Sequence, residues 1–345
     1  MRRRIALAAS VAAVLALTSC SAGGAQAPAD TSATGDELVT LARQEGQVIW
    51  YTGSLPPAVE AVQKAFKATY GIDVVVPERL SSAALAQRLD ADVRGTGSLG
   101  ADVILTTDMA LAGYLGEKGY SVPLQAGMFP GLNTDFVQPT SVGCGVVVPV
   151  VAYNKAVLGD FRIDSWNDLL DPRLSGKIMV NDPRGSAAWS QLFSTLLNDP
   201  RQGEKFFTGL KAQNYQPVAS SLVGAEQLIA GQGGVLVAGT PALFTKAIKA
   251  GQPIEMWYPT DPAPVALDAC LVAKGAKHPN AAKLFLQWLM TKEGQAAVTI
   301  PDAIASPLGD VPGAVVSLPA NYTKAPAPGK VSEDLPRVQQ LLGFH

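Results

Sequence analysis

The chain has 345 residues, 48% of them hydrophobic and 16% charged, with 27 basic against 29 acidic side chains. That composition suits a core-forming globular protein, and it leaves no basic excess for nucleic acid or an anionic membrane face. Beyond residue 35 about 310 residues remain, more than one core usually organises, which predicts two domains.

The chain opens with Arg2, Arg3 and Arg4, and an apolar run over residues 5–17 follows. The run is too short to span a bilayer and has the charge and length of a secretory signal. It ends Leu17-Thr18-Ser19-Cys20, which resembles the lipobox of bacterial lipoproteins. That resemblance implies diacylglyceryl transfer to the Cys20 thiol, cleavage before it and attachment to the cell membrane on the extracytoplasmic face. The alternative is an unmodified cysteine behind an ordinary signal. Residues 1–19 are therefore read as a lipoprotein signal peptide. Their loss leaves 24 basic and 29 acidic residues, a net charge of −5. Residues 20–35, rich in Gly, Ala, Ser, Thr and Pro, hold too little apolar surface for a core and read as a flexible tether.

From there strand and helix patterns alternate. "QVIWYT" reads as a buried strand. A helix from about Pro57 carries Val59, Val62, Phe66 and Tyr70 on one face. "IDVVVP" is a second strand. A helix marked by Leu85, Leu89 and Val93 follows, with Ser81 or Ser82 as its cap. "ADVILTT" is the third strand, and Leu111, Tyr114 and Leu115 mark the next helix. This order predicts a mainly parallel sheet with helices on both faces. An irregular stretch over 120–142 leads to a strand around Cys144. A second unit, beginning near Tyr153, has strands at "KIMVND", "YQPVA", "GVLVAG" and "IEMWYP". Its helices lie around Trp189, Phe206, Leu228 and from Pro241. A strand around Cys270 then leads to a helix with Phe285 and Trp288, and a last helix starts at about Glu333.

Beyond Cys20 only Cys144 and Cys270 remain. Outside the cytoplasm an even count suggests a disulfide, with two separate buried thiols as the alternative.

Four stretches, taken in order, resemble one family. They are "VIWYTGSLPPAVEAVQKAFKATYGIDVVV", "GADVILTTD", "VVPVVAYNKAVLGDFRIDSWNDLLDPRLSGKIMVNDPRGSAAW" and "HPNAAKLFLQWLMTKEGQAAV". The chain is similar to the extracellular solute-binding proteins of ABC importers, of the type related to ferric-iron-binding proteins. The resemblance implies a type II periplasmic-binding-protein fold of the α/β class. In it two lobes, each a mainly parallel sheet flanked by helices, are joined by two crossover strands, with ligand held between the lobes and handed to ABC permease subunits. The crossovers would be residues 145–153 and 265–273, lying antiparallel side by side, which implies that Cys144 and Cys270 meet at the hinge. Residues 36–144 with 268–305 would form lobe I, and 145–267 with 306–345 lobe II.

In open α/β sheets ligands sit beyond the carboxyl ends of the strands. This rule selects Thr52, Gly53, Ser54, Ser81, Ser82, Thr107 and Asp108 in one lobe. In the other it selects Asp182-Pro183-Arg184-Gly185-Ser186, then Ser220, Ser221, Gly239 and Thr240. At Arg184-Gly185-Ser186 a strand ends and a helix begins, so backbone N–H groups and the helix end favour an anion, and Arg184 offers a bidentate contact to it. Serine and threonine at helix starts also serve as caps, as does Asp108, which could instead bind a ligand amine. Trp189, Trp257 and Tyr258 are either aromatic walls or core.

Iron-binding members carry adjacent tyrosines after the strand that matches "GVLVAG". Here the sequence runs "AGTPALF", with Thr240, Pro241 and Phe244. A small polar solute, an organic anion bearing phosphate, phosphonate or carboxylate, fits better than ferric iron. No metal and no cofactor are expected, and a monomer is. A ferric-iron importer component with a non-tyrosine site, a ligand-sensing lipoprotein and a secreted hydrolase are the rivals. The chain has no H-E-x-x-H and no G-x-S-x-G, and its two histidines, His278 and His345, suit no Ser-His-Asp arrangement. It is not expected to be an enzyme.

Overall fold

The computed structural model describes residues 32–125 and 127–344, so the leader, Cys20 and most of the tether lie outside the described residues. The first unit runs α1 (Gly35–Glu45), β1 (Gln47–Tyr51), α2 (Pro56–Tyr70), β2 (Asp73–Val75), α3 (Ser82–Thr96), β3 (Val103–Thr106) and α4 (Met109–Glu117). An irregular stretch leads to β4 (Val142–Val147), β5 (Val150–Asn154) and α5 (Lys155–Leu158). The second unit continues with β6 (Ile178–Asn181), α6 (Ala187–Asn198), α7 (Gly203–Ala212), β7 (Gln216–Val218), α8 (Ser221–Ile229), β8 (Val235–Gly239), α9 (Ala242–Lys249) and β9 (Ile254–Trp257). The chain returns through β10 (Ala263–Val272), α10 (Pro279–Leu289), α11 (Lys292–Asp302), β11 (Tyr322–Lys324) and α12 (Pro328–Leu342).

Two sheets result. In the first, β2, β1 and β3 run parallel in that spatial order, and β10 enters antiparallel beside β3. Strand β4 pairs antiparallel with β10, with Leu267 opposite Val146 and Cys270 opposite Val142. Short β11 pairs parallel with the first residues of β10. The second sheet has the order β7–β6–β8–β5–β9, with β6 parallel to β7 and β8, and β5 antiparallel to β8 and β9. Each sheet thus contains three adjacent parallel strands with a reversed strand beside them, and the remaining strands pair with that reversed strand. The chain passes between the sheets at residues 148–149 and again over 258–262.

Local signals set the element ends. Helix α2 begins with prolines in its first turn, where a missing N–H costs nothing, and stops at Gly71, whose φ of 77° accommodates the left-handed cap. The buried strands β3, β6 and β8 are continuous apolar runs, as parallel strands covered on both faces should be. Phe66, Phe285, Trp288 and Trp50 bind α2, α10 and β1 into one core through ring contacts of 5.1–5.5 Å. In the second unit Trp166 packs edge-on against Trp257 at 5.2 Å and against Phe206 at 5.9 Å, so the half-buried Trp257 is packed against the core.

Cys144 and Cys270 form a disulfide across β4 and β10, with Cα atoms 5.7 Å apart. Beside it Gly145 lets the strands close. A Cβ there would come within 2.7 Å of Ile304 Cδ1 and 3.1 Å of the Asp268 carboxylate. Helix α12 starts at Pro328, ahead of the expected Glu333, and packs against α6 and α7. Among the described residues no helix is long and apolar enough to cross a membrane.

Candidate functional site

The carboxyl ends of β1 and β3 are held by side chains that the sequence offers as ligand contacts. Thr52 is fully buried, and its hydroxyl accepts the Ser54 N–H at 3.0 Å. The next residue, Leu55, pins this loop by donating its N–H to Asp302 at 2.9 Å. Arg79, after β2, donates to the Ser54 carbonyl at 3.2 Å. Ser81 caps α3 by accepting Ala84 N–H, and Asp108 caps α4 by accepting the N–H groups of Ala110 and Leu111 at 3.0 and 3.1 Å. Thr107 lies beside Asp268 of β10 and lowers its carboxyl pKa against the effect of burial. Much of the hydroxyl chemistry on this side is therefore committed to the protein itself.

On the facing side, Asp182 follows β6 and takes a bidentate grip from Arg184, Nε at 3.0 Å and Nη2 at 2.6 Å. Burial raises the Asp182 carboxyl, but the Arg184 bonds outweigh it and hold it below the ordinary range. The pair orients the guanidinium, which remains 48% exposed. Helix α6 then begins without a side-chain cap. Trp189 and Ser190 N–H return to the Ser186 carbonyl, whereas Ala187 and Ala188 N–H take no acceptor among the described residues. A twelve-residue helix thus presents two unsatisfied donors and its positive end beside Arg184 and the Ser186 hydroxyl.

Ser220 caps α8 through Val223 N–H. Ser221 accepts the Trp189 indole N–H at 2.9 Å and donates to the Ala238 carbonyl at 3.3 Å. Asn181 donates to the same carbonyl at 2.9 Å. Ala238 itself has a φ of 68°, a left-handed conformation unusual for alanine, just before Gly239 and Thr240.

A cavity of about 960 Å³ opens between the two halves. Ser82 and Asp108 reach it from α3 and α4, and Arg184, Gly185 and Ser186 from the β6–α6 turn. Thr52, Ser54, Ser81, Thr107, Ser221 and Thr240 do not line it. Sequence reasoning missed further wall residues: Gln191, the Asp135–Lys324 ion pair at 2.5 Å, and the start of α12. It also missed the acids behind the wall. Burial pushes Asp268 up to about 6, against the lowering by Thr107 and with Asp302 raising it further. Asp302 is likewise raised to about 6, first by burial, and is partly relieved by Leu55 N–H, Ser54 and Arg79.

Two α/β lobes, joined by neighbouring antiparallel strands and enclosing a largely apolar cavity with a few charged and hydroxyl groups on its walls, define a two-lobed binding protein of the type II arrangement. The chain belongs to the bacterial extracellular solute-binding proteins, whose family profile matches residues 58–327. Solved structures similar to it share the fold at low identity. The iron-bound HitA of Pseudomonas aeruginosa is 19% identical with a TM-score of 0.68, covering 86% of this chain and 99% of HitA. AfuA of Actinobacillus pleuropneumoniae, with fructose-6-phosphate bound, is 19% identical with a TM-score of 0.67, covering 87% and 99%. The substrate-binding protein of an ABC transporter from Agrobacterium tumefaciens has a TM-score of 0.72 at 17% identity, covering 86% and 94%. A Haemophilus influenzae protein described as uncharacterized is 27% identical over 134 residues, 38% of each chain.

Proposed function

We propose that this protein captures a small organic anion, bearing phosphate, phosphonate or carboxylate, between its two lobes and delivers it unchanged to an ABC permease. The observation that carries the reading is the uncapped start of α6. Two N–H groups with no acceptor among the described residues, the helix dipole, the Ser186 hydroxyl and an Arg184 guanidinium oriented by Asp182 all meet at one wall of the interlobe cavity. Such an end favours negative charge, and a planar guanidinium matches a carboxylate or phosphate oxygen pair. AfuA, a fold relative, is described with a sugar phosphate bound. The segment "AGTPALF" after β8 supplies no phenolate for ferric iron.

In the same reading Cys20 carries the lipid that holds the protein at the outer face of the membrane, the residues that follow it ahead of α1 are its tether, and the molecule acts as a monomer. The lobes are the bodies built on the six-stranded and five-stranded sheets. The test is a melting-temperature screen against organic phosphates, phosphonates and carboxylates, with ferric chelates in parallel. An organic anion should raise the midpoint by mass action. A rise with ferric salts alone would replace this solute class with iron.

A further inference from the structure

Hydrogen-bonding side chains near the cavity form a polar path within each lobe, and Gln191 on α6 bonds across from one lobe to the other. In the second lobe the path joins the three strand-end loops. Asn181 and Ser221 both donate to the Ala238 carbonyl, and Ser221 accepts from Trp189 on α6. Two residues along α6 stands Gln191, which is 5% exposed. Its Nε2 donates to the Thr107 carbonyl of the first lobe at 2.9 Å. Thr107 lies beside Asp268 on the hinge strand β10, Asp268 feels the charge of Asp302, and Asp302 accepts the Leu55 N–H. The helix whose first turn faces the cavity is therefore the helix that bonds the opposite lobe one turn further on.

We propose that Gln191 is a positioning residue that sets the balance between closed and open lobes, by bonding α6 to the Thr107 carbonyl beside the hinge. The amide suits the task. It offers a neutral donor to a carbonyl at a part-buried contact, where an unpaired carbonyl would lose some of its hydration in the closed form. Opening the lobes hydrates both groups, so the bond favours closure. Because α6 also presents the anion-binding turn, a solute held at Ser186 and Arg184 draws on a helix already fixed to the other lobe. The inference rests on the solute-capture reading for its purpose but not for its test, which needs no solute.

The test is small-angle scattering of the purified, ligand-free protein and three variants. A compact chain of this length has a radius of gyration of about 19–20 Å. Gln191→Met keeps the shape without the donor. Gln191→Glu keeps the length but sets a carboxylate against the carbonyl. Both should show a radius larger by about 1 Å, the mark of opened lobes. Ser190→Ala, which removes a hydroxyl bond to Pro183 within one lobe, should lower the melting midpoint without changing the radius. If Gln191→Met does not fold, Gln191→Glu carries the comparison. Unchanged radii in folded Gln191 variants, or a parent protein already as open as they are, would overturn the proposal.

Discussion

Cys144 and Cys270 stand on adjacent antiparallel strands at the junction of the lobes and are bonded to one another, 126 residues apart in sequence. Closing so long a loop restricts the unfolded chain, and the chain-entropy model puts the stabilisation at about 4–5 kcal/mol. Replacing both cysteines with serine should lower the melting midpoint by several degrees and leave the lobes intact. Thiol labelling of the denatured, unreduced parent should find neither Cys144 nor Cys270 reactive; labelling of both would contradict the bridge.

Arg184→Ala should weaken binding of the solute about tenfold or more, since a hydrogen bond to a charged group contributes about 1.5–3 kcal/mol. The loss is expected in affinity, with little change in melting midpoint, because Arg184 is about half exposed and its Asp182 partner lies at the surface of the turn. Equal affinities by calorimetry would remove Arg184 from the site.

The serines at two helix starts should separate cleanly. Ser81 accepts a backbone N–H of α3, so Ser81→Ala should cost about 1 kcal/mol of stability and leave solute affinity alone. Ser186 makes no capping bond, so Ser186→Ala should do the reverse. Urea unfolding and a binding isotherm on both variants check this, and a stability loss confined to Ser186→Ala would refute the assignment.

Asp268 gives a pH signature. Its folded pKa is about 6 against 3.8 for a free carboxyl, so between those values the folded state binds more protons than the unfolded state. The contribution is complete below about pH 4, fades as pH rises through about 6, and is absent above. Asp268→Asn needs no ionisation. At pH 8 it should be more stable than the parent by up to roughly 2–3 kcal/mol, and near pH 4 the two should converge. Parallel stability curves at all pH values would show that this carboxyl is not buried as described.

The parts of the fold legible in sequence were those with local causes. Apolar runs marked β1, β3, β6 and β8, a serine three residues before Ala84 marked the cap of α3, and a Pro-Arg-Gly turn after a strand marked the start of α6. The early start of α12 had only Pro328 to announce it, because "PAPGKVSEDL" carries little apolar periodicity and the helix is held by packing on α6 and α7. Asp268, Asp302 and Gln191 left no local trace. Their roles depend on burial and on partners 84 to 247 residues away, such as Thr107 for Gln191 and Leu55 for Asp302. For the same reason hydroxyls at strand ends could not be divided beforehand into those facing the cavity and those, like Thr52 and Ser221, bonded inward.

The central claim is capture without chemistry, and one measurement meets it directly. The purified protein is titrated by calorimetry with the organic anion that most raises its melting midpoint, and the bound solute is then recovered and identified by mass spectrometry. The account predicts saturable one-to-one binding and a solute recovered intact. Failure of every organic anion to bind, or recovery of a cleaved or transferred product, would contradict it.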